Sequence, residues 1–211
     1  MQLSDDEVVR RVIAGEKGLF EILMRRHNQK LYRIIRGYLK DEDDISDAMQ
    51  NAYLKAFDKL YQFHGDAAFS TWLVRIGINE ALLRIKDIRK AKVIYMTPDQ
   101  VGTETLNRIP DKQVNAEKVI IKQEMQQLLE QAIDSLPEKY RVVYIMKEVE
   151  GMENHQVAEC LSLTESNVKV RLHRARSIIK ELLLKFTTGT DVFEFGNKRC
   201  DRMVDLVMKS I

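Results

Sequence analysis

Apolar residues recur every three or four positions along most of the chain, a spacing that predicts amphipathic helices. Ser4 and Glu7 precede the first apolar run, and their spacing predicts a capping box, with Ser4 accepting from the Glu7 amide and the Glu7 side chain reaching back. The helix that they open should end near Gly15. Later runs predict three more helices, over about 19–39, 45–61 and 67–89. Sustained strand alternation is absent from the sequence, which favours an all-α fold.

The helical period lapses between about 91 and 119, where Pro98, Gly102 and Pro110 lie among polar residues. That composition is typical of a flexible linker. Helical order then resumes and predicts four further helices, over about 117–135, 137–151, 153–161 and 164–184.

This organisation predicts an all-α protein of two small helical bundles joined by a flexible linker, with a helix-turn-helix in the second bundle. The predicted bounds are 1–92 for the first bundle, 93–119 for the linker, 120–186 for the second bundle and 187–211 for a C-terminal extension.

Composition narrows the class of protein. The 211 residues are 45% apolar and 31% charged, with nine glycines and three prolines, which excludes collagen-like, low-complexity and turn-dense all-β chains. No apolar run approaches the roughly 18 residues of a membrane span, and the acidic N-terminus does not resemble a secretory signal. The two cysteines, Cys160 and Cys200, lie far apart, as in proteins of reducing compartments. We therefore expect a soluble cytoplasmic protein.

Residues 153–184 have the proportions of a helix-turn-helix. Ala158 is small where two helices must approach closely, Ser162 lies in the turn, and Thr164 is placed to cap the long second helix. That helix is rich in Lys and Arg, although the net charge of the chain is only +2, and such a helix fits the major groove of DNA. The candidate contacts are Ser166, Asn167, Lys169, Val170, His173 and Arg174 toward base edges, with Arg171 and Arg176 toward phosphates. The alternative is a basic helix that is merely solvated.

Six of the fifteen aromatic residues fall within residues 53–72, next to many basic residues. Aromatic rings with positive charge favour single-stranded nucleic acid, because bases stack on the rings, and a base taken out of a duplex needs such a pocket. The candidates are the loop 63–69 followed by Trp72, Arg75 and Asn79. A core role is the alternative: it is favoured for Tyr53, Phe57 and Tyr61, which follow an i, i+4, i+8 pattern, and stays equally open for Phe63 and Trp72.

The third predicted helix carries a polar, acidic face formed by Asp44, Asp47, Gln50 and Asn51, opposite its apolar positions. A face of this kind is usually only solvated. It could also dock a basic helical partner, with polar contacts at the rim setting the register.

Four blocks together resemble the extracytoplasmic-function sigma factors, the minimal bacterial members of the sigma-70 family. They are DISDAMQNAY at 44–53, FSTWLVRIGINEA at 69–81, LPEKYR at 136–141 and NVKVRLHRAR at 167–176. The resemblance covers about residues 5–186, in order, and implies a promoter-specific transcription initiation factor with sigma region 2 in the first bundle and region 4 in the second.

The resemblance also implies roles for single residues. The face of Asp44, Asp47, Gln50 and Asn51 would dock on the β′ clamp helices of RNA polymerase. The −10 element would be opened, and a base captured, by Phe63, His64, Phe69, Trp72, Arg75 and Asn79. The −35 element would be read by Ser166, Asn167, Lys169, Val170, Arg171, His173, Arg174 and Arg176. The implied partners are core RNA polymerase, through its β′ clamp helices and β flap, promoter DNA and, as a further candidate, an anti-sigma protein.

Other function classes fit the sequence less well. The sequence has no phosphate-binding loop, nucleophile elbow or metal-ligand spacing, so we predict no catalytic residues, no metal and no cofactor. The main rival is a stand-alone helix-turn-helix regulator whose first bundle senses a ligand or dimerises. A sigma-sequestering protein is disfavoured because both DNA-reading segments are present.

The extension 187–211 continues past the end of the resemblance. Met203, Val204, Val207, Met208 and Ile211 predict an amphipathic helix of about 14 residues, which needs a surface to dock on. Three roles remain open: packing on the second bundle over a DNA- or polymerase-binding surface, binding a partner protein, or acting as a stabilising flap.

Overall fold

The computed structural model describes residues 3–94 and 116–187, and these residues form helices and turns with no strand. The helices are α1 Asp5–Ile13, α2 Phe20–Arg36, α3 Glu42–Asp58, α4 Phe69–Ile94, α5 Ala116–Ser135, α6 Glu138–Tyr144, α7 Asn154–Leu161 and α8 Glu165–Thr187. Short 3₁₀ turns at Lys17–Leu19 and Leu60–Gln62 precede α2 and follow α3, and a π-helical segment, Ile145–Val149, continues α6. The all-α prediction is confirmed.

Helices α1 to α4 form the N-terminal bundle, around a core that includes Leu23, Leu31, Ile45 and Leu73. Close approach of α2 and α4 depends on Gly77, where an added Cβ would lie 2.5 Å from Leu31 Cδ1. Helix α4 is also held to α3 by an ion pair, because Lys55 Nζ lies 2.7 Å from Oε1 of the buried Glu80. These contacts fix the position of α4, which carries most of the predicted −10 residues.

The helix capping predicted from the sequence is observed only in part. Ser4 Oγ accepts from the Glu7 amide at 3.2 Å, as predicted, but the Glu7 carboxylate pairs with Arg10 instead of reaching back. Helix α3 begins at Glu42, three residues earlier than predicted, because Asp41 caps it by accepting from two backbone amides.

Helices α5 to α8 form the C-terminal bundle. One side of α8 packs against α5 and α6 through Ala132, Leu136, Ala175 and Ile179. The sequence predicts that this helix begins at about 137; in the structure Pro137 is the N-cap, and α6 begins one residue later at Glu138. The helices α4 and α5 extend a few residues into the segment 93–119 predicted as a linker, and residues 95–115 lie outside the described part of the chain, as does the extension 188–211.

The two bundles pack against each other, which the sequence did not predict. Ile34, Val74 and Ile78 of the N-terminal bundle share one buried apolar cluster with Val142 and Ile145 of the C-terminal bundle. Gly37 lies at this contact, where an added Cβ would stand 3.1 Å from Ile145 Cδ1. The described residues therefore form one continuous body with an apolar seam between the bundles.

Candidate nucleic-acid interface

Three aromatic rings predicted to act at the −10 element form one cluster at the N-terminal end of α4. The ring centroids of Phe63 and Phe69 are 5.6 Å apart, those of Phe63 and Trp72 are 5.6 Å apart, and those of Phe69 and Trp72 are 5.8 Å apart. Phe69 is 2% exposed, whereas Phe63 and Trp72 are half-buried. Phe69 is therefore the core anchor of the cluster, and the other two rings keep a face that a base could reach.

Polar groups lie next to this cluster, where a displaced base or its phosphate would need them. Arg75 and Asn79 follow Trp72 at three- and four-residue steps on α4, so they share its side of the helix, and both are exposed. His64 is exposed in the preceding loop, where Gly65 adopts φ +81°. The structure thus brings the rings, the guanidinium and the amide to one surface.

The earlier aromatic residues separate into core and surface. Tyr53 and Phe57 surround Phe20, with centroid distances of 6.3 and 5.2 Å. Burial raises the pKa of the Tyr53 hydroxyl, which donates to the Met24 carbonyl at 3.3 Å. The predicted core role therefore fits Tyr53 and Phe57. Tyr61 is 66% exposed, so it does not have that role.

The polar face of α3 is accessible along most of its length. Asp47, Gln50 and Asn51 are exposed, while Asp44 is half-buried and accepts from Arg84 Nε at 2.6 Å. That hydrogen bond and the negative charge of Asp44 raise the pKa of Arg84, and the contact holds the N-terminal end of the face against α4. Leu54 lies one turn beyond Gln50 and is 56% exposed. Leu54 was not among the residues predicted for this face, although its apolar side chain lies in register with the polar positions.

Helix α8 is held with one side buried and the opposite side open. Val168, Leu172, Ala175 and Ile179 are buried, which turns the other side outward. The outward residues are exposed without exception: Ser166, Asn167, Lys169, Val170, His173 and Arg174. All the side chains predicted to face base edges thus lie on one surface.

The two residues of α8 predicted to contact phosphates, Arg171 and Arg176, are less available than the six residues predicted to face base edges. Arg171 is half-buried, and Arg176 is exposed but pairs with Glu148 at 2.6 Å. Neither Lys169 nor Arg174 forms an ion pair with any other described residue, so both charges remain available to an anion. Two unpaired positive charges therefore lie on the outward face of α8.

The turn before α8 has the geometry of a helix-turn-helix. Ser162 adopts the left-handed conformation, with φ 52° and ψ 47°, at a position that favours glycine. Thr164 Oγ1 accepts from the Asn167 amide at 3.2 Å, which confirms the predicted cap. At the start of α7, Gln156 Oε1 accepts from the Glu153 amide at 2.9 Å, so the Gln156 side chain acts locally as a cap.

In residues 3–94 and 116–187, no group of three or more His, Cys, Asp or Glu side chains is arranged to hold a metal ion. Among the helices of those ranges, none has both the length and the apolar character needed to cross a bilayer.

Comparison with known proteins points to the same two regions. A family model for sigma-70 region 2 matches residues 23–91, and one for sigma-70 region 4 matches residues 126–179. The chain is similar to the RNA polymerase sigma-H factor of Pseudomonas aeruginosa, with 30% identity over 86% of this chain and 95% of that protein. It is also similar to the ECF RNA polymerase sigma-E factor of Escherichia coli K12, with 29% identity over 84% of this chain and 93% of that protein.

A solved structure shares the fold. It is that of the sigma factor RpoE in complex with the anti-sigma factor NepR from Bartonella quintana, with a TM-score of 0.63 and 20% identity over 78% of this chain and 96% of that one. Both sigma regions occur in one chain in the expected order, which does not favour the stand-alone regulator. The chain belongs to the sigma-70 family of RNA polymerase sigma factors, in its extracytoplasmic-function group.

Proposed function

We propose that this sigma factor directs promoter-specific initiation through three separate surfaces, each built from the residues described above. In this proposal, residues 1–92 act as region 2, residues 120–186 act as region 4, and 187–211 is an appended extension. The observation that supports it most is that the aromatic cluster lies beside Arg75 and Asn79 at the start of α4, whereas the open basic face belongs to a different helix, α8.

The aromatic cluster is proposed to stabilise the opened −10 element. Melting a duplex removes base stacking. An aromatic ring that stacks on a freed base stabilises the melted state by about 1–3 kcal/mol. Trp72 and Phe63 offer accessible ring faces, with Phe69 holding them from behind. Arg75 and Asn79 then supply hydrogen-bond donors to the base edge or the backbone.

The outward face of α8 is proposed to read the −35 element as intact duplex. A helix that enters the major groove needs short or flexible side chains near its N-terminus, and this face begins with Ser166 and Asn167. Lys169 and Arg174 carry free positive charge for guanine edges or phosphates, and each good base contact discriminates by about 1–3 kcal/mol.

The face of α3 is proposed to bind the β′ clamp helices of core polymerase. Asp47, Gln50 and Asn51 would form the polar contacts, and Leu54 would add an apolar one. Asp44 is proposed to act mainly by holding Arg84, since its carboxylate is already engaged. The C-terminal bundle would contact the β flap.

The low net charge of +2 supports a division of labour with the polymerase. Phosphate neutralisation supplies most of the nonspecific affinity for DNA, so the free chain should bind promoter DNA weakly and the polymerase should supply the missing affinity. The polymerase also carries the chemistry of RNA synthesis, and the chain would act where that enzyme acts, in the cytoplasm. An anti-sigma protein is a further candidate partner, supported by the solved relative that is bound to NepR.

The test is reconstitution with purified bacterial core polymerase. We expect stoichiometric capture of core by the tagged chain, and transcripts that start at discrete promoters when genomic fragments are the template. An Asp47→Lys, Gln50→Ala double variant should reduce capture, whereas a control Glu21→Lys on the exposed side of α2 should not. Specific binding to palindromic DNA without polymerase, together with no capture of core, would contradict the proposal.

A further inference from the structure

An apolar groove, called the α8 groove below, runs along the C-terminal half of α8. It is lined by the apolar side chains of Tyr144, Ile179, Leu183 and Leu184, and its volume is about 380 Å³. Ile179 is 5% exposed and belongs to the core of the bundle, whereas Leu184 is 49% exposed. Apolar side chains that gather in a groove, rather than lie scattered singly, mark a contact site.

Two cations border the α8 groove. Arg176 and Lys180 line it one helical turn apart, and both are exposed. Arg176 pairs with Glu148 at 2.6 Å, whereas Lys180 forms no ion pair with another described residue. An occupant that carries apolar side chains with carboxylates beside them is therefore complementary to this groove.

The C-terminal extension carries that combination in its sequence. Asp201 and Asp205 are four residues apart, so on a helix they have the same one-turn spacing as Arg176 and Lys180. They border an apolar stripe whose members recur at three- and four-residue steps. The stripe consists of Cys200, Met203, Val204, Val207, Met208 and Ile211.

The length of the chain allows the stripe to reach the groove. Helix α8 ends at Thr187, three residues after Leu184, and residues 188–199 connect it to the stripe. These twelve residues span up to about 40 Å when extended, whereas the groove follows α8 for only about 12 Å. As a helix, residues 200–211 are about 16 Å long, which is enough to fill the groove.

A helix of this length needs a surface to pack on. About twelve residues are marginal as an isolated helix in water, so most of the stability must come from burying the apolar side. The α8 groove supplies an apolar surface of matching length, with opposite charge at its edge, next to the point where the chain leaves α8.

We propose that residues 200–211 fold back as a helix and dock their apolar stripe in the α8 groove, with the two aspartates toward the two cations. The docked extension then acts as an intramolecular strap that holds the C-terminal half of α8 on its bundle. The groove follows Arg174, the last residue predicted to face base edges, so the strap leaves those residues open. The inference goes beyond the proposed function and does not depend on it.

Disulfide trapping in the full chain tests this docking. In a Cys160→Ala background Cys200 is the remaining thiol, and Leu184→Cys or Lys180→Cys adds a second one at the groove, covering both directions of the docked helix. A disulfide forms without strain only when the two Cα atoms come within about 7 Å. Glu165→Cys, at the exposed start of the same helix, is the matched control.

We expect one of the two groove cysteines to form the intrachain disulfide at least about tenfold faster than the control. A free extension would favour the nearer cysteine by only about threefold, because the cost of loop closure rises slowly with loop length. A ratio no higher than that would overturn the proposal. A disulfide that forms between two chains, with a yield that rises with protein concentration, would assign the groove to a second copy and overturn it as well.

A pair of substitutions tests the apolar side of the extension. Val207→Asp places a carboxylate in the stripe, and Leu206→Asp makes the same kind of change on the other side of the predicted helix. We expect Val207→Asp to accelerate amide hydrogen exchange in residues 176–187 by about fivefold or more, because undocking frees the end of α8. Leu206→Asp should leave that exchange unchanged. Equal exchange rates in the two variants would overturn the proposal.

Discussion

The proposed −10 and −35 surfaces are built in opposite ways. On α8, every outward side chain of the predicted set projects from a single helix whose other side is buried. The −10 surface instead joins a loop to the first turns of α4, and one of its three rings, Phe69, belongs to the core of the bundle.

This difference follows from what each surface must do. Duplex DNA presents its base edges in the groove, so a rigid helix with short and charged side chains can read them without help. An unstacked base needs a ring face held in place, and here Phe63 and Trp72 are held by packing against Phe69 and the core of the bundle. The −10 surface should therefore be sensitive to core substitutions, and the −35 surface should tolerate changes with little effect on stability.

The largest expected effect is on stability, from Phe69→Ala. Removing a fully buried Phe ring should lower the free energy of unfolding by about 3–5 kcal/mol. Urea unfolding followed by circular dichroism measures this loss. A decrease in the free energy of unfolding below about 1 kcal/mol would show that the ring does not anchor the cluster. It would also contradict the claim that the −10 surface depends on the core more than the −35 surface does.

The next effect is on strand opening, from Trp72→Ala. Loss of one stacking face should reduce opening of the −10 element by about 5- to 150-fold, since each stacked base contributes about 1–3 kcal/mol. Permanganate reactivity of the −10 thymines in the holoenzyme complex measures opening. Tyr61→Ala is the control, because Tyr61 is an exposed aromatic residue outside the cluster. Equal losses in the two variants would contradict a specific role for Trp72.

A comparable loss of promoter recognition, with almost no loss of stability, is expected from Lys169→Ala and Arg174→Ala. Each should weaken holoenzyme binding to a promoter with a −35 element by about 1–3 kcal/mol, and have little effect when that element is scrambled. The free energy of unfolding should change by less than about 0.5 kcal/mol, because both side chains are exposed. Lys180→Ala, on the same helix but outside the predicted set, provides the control.

The smallest effect is a gain, from Ser162→Gly. Ser162 has a left-handed backbone, which costs a residue with a Cβ about 1–2 kcal/mol, and glycine avoids that cost while losing some entropy on folding. We expect the free energy of unfolding to rise by about 0.5–1 kcal/mol with promoter binding unchanged. A lower urea midpoint would show that the Ser162 side chain contributes something that the turn geometry does not explain.

Local signals in the sequence predicted much of this molecule. The Thr164 cap, the buried Ala158 and the one-sided burial of α8 all follow from helical periodicity and capping chemistry. The start of α3 was predicted three residues too late, because only the contacts of the folded chain show that Asp41 caps the helix.

Features that depend on tertiary contacts could not be predicted from sequence patterns. Periodicity placed Phe63 and Trp72 equally well in the core or on the surface, and their half-buried state is set by Phe69 and the loop geometry. The seam between the bundles joins Ile34 and Val74 to Val142 and Ile145. Those residues read as ordinary core positions of their own helices, and no local pattern marks them as partners across more than sixty residues of chain.

The division of labour between the two bundles is tested most directly with double-stranded and pre-melted −10 templates, both with an intact −35 element. The holoenzymes to compare carry either Trp72→Ala or Lys169→Ala with Arg174→Ala. We expect pre-melting to restore most open-complex formation to the Trp72 variant, because the lost stacking is then no longer needed to melt the duplex. The α8 variant should keep its binding deficit on both templates. Rescue of the α8 variant by pre-melting, with an unchanged deficit in the Trp72 variant, would contradict the assignment of melting to one bundle and duplex reading to the other.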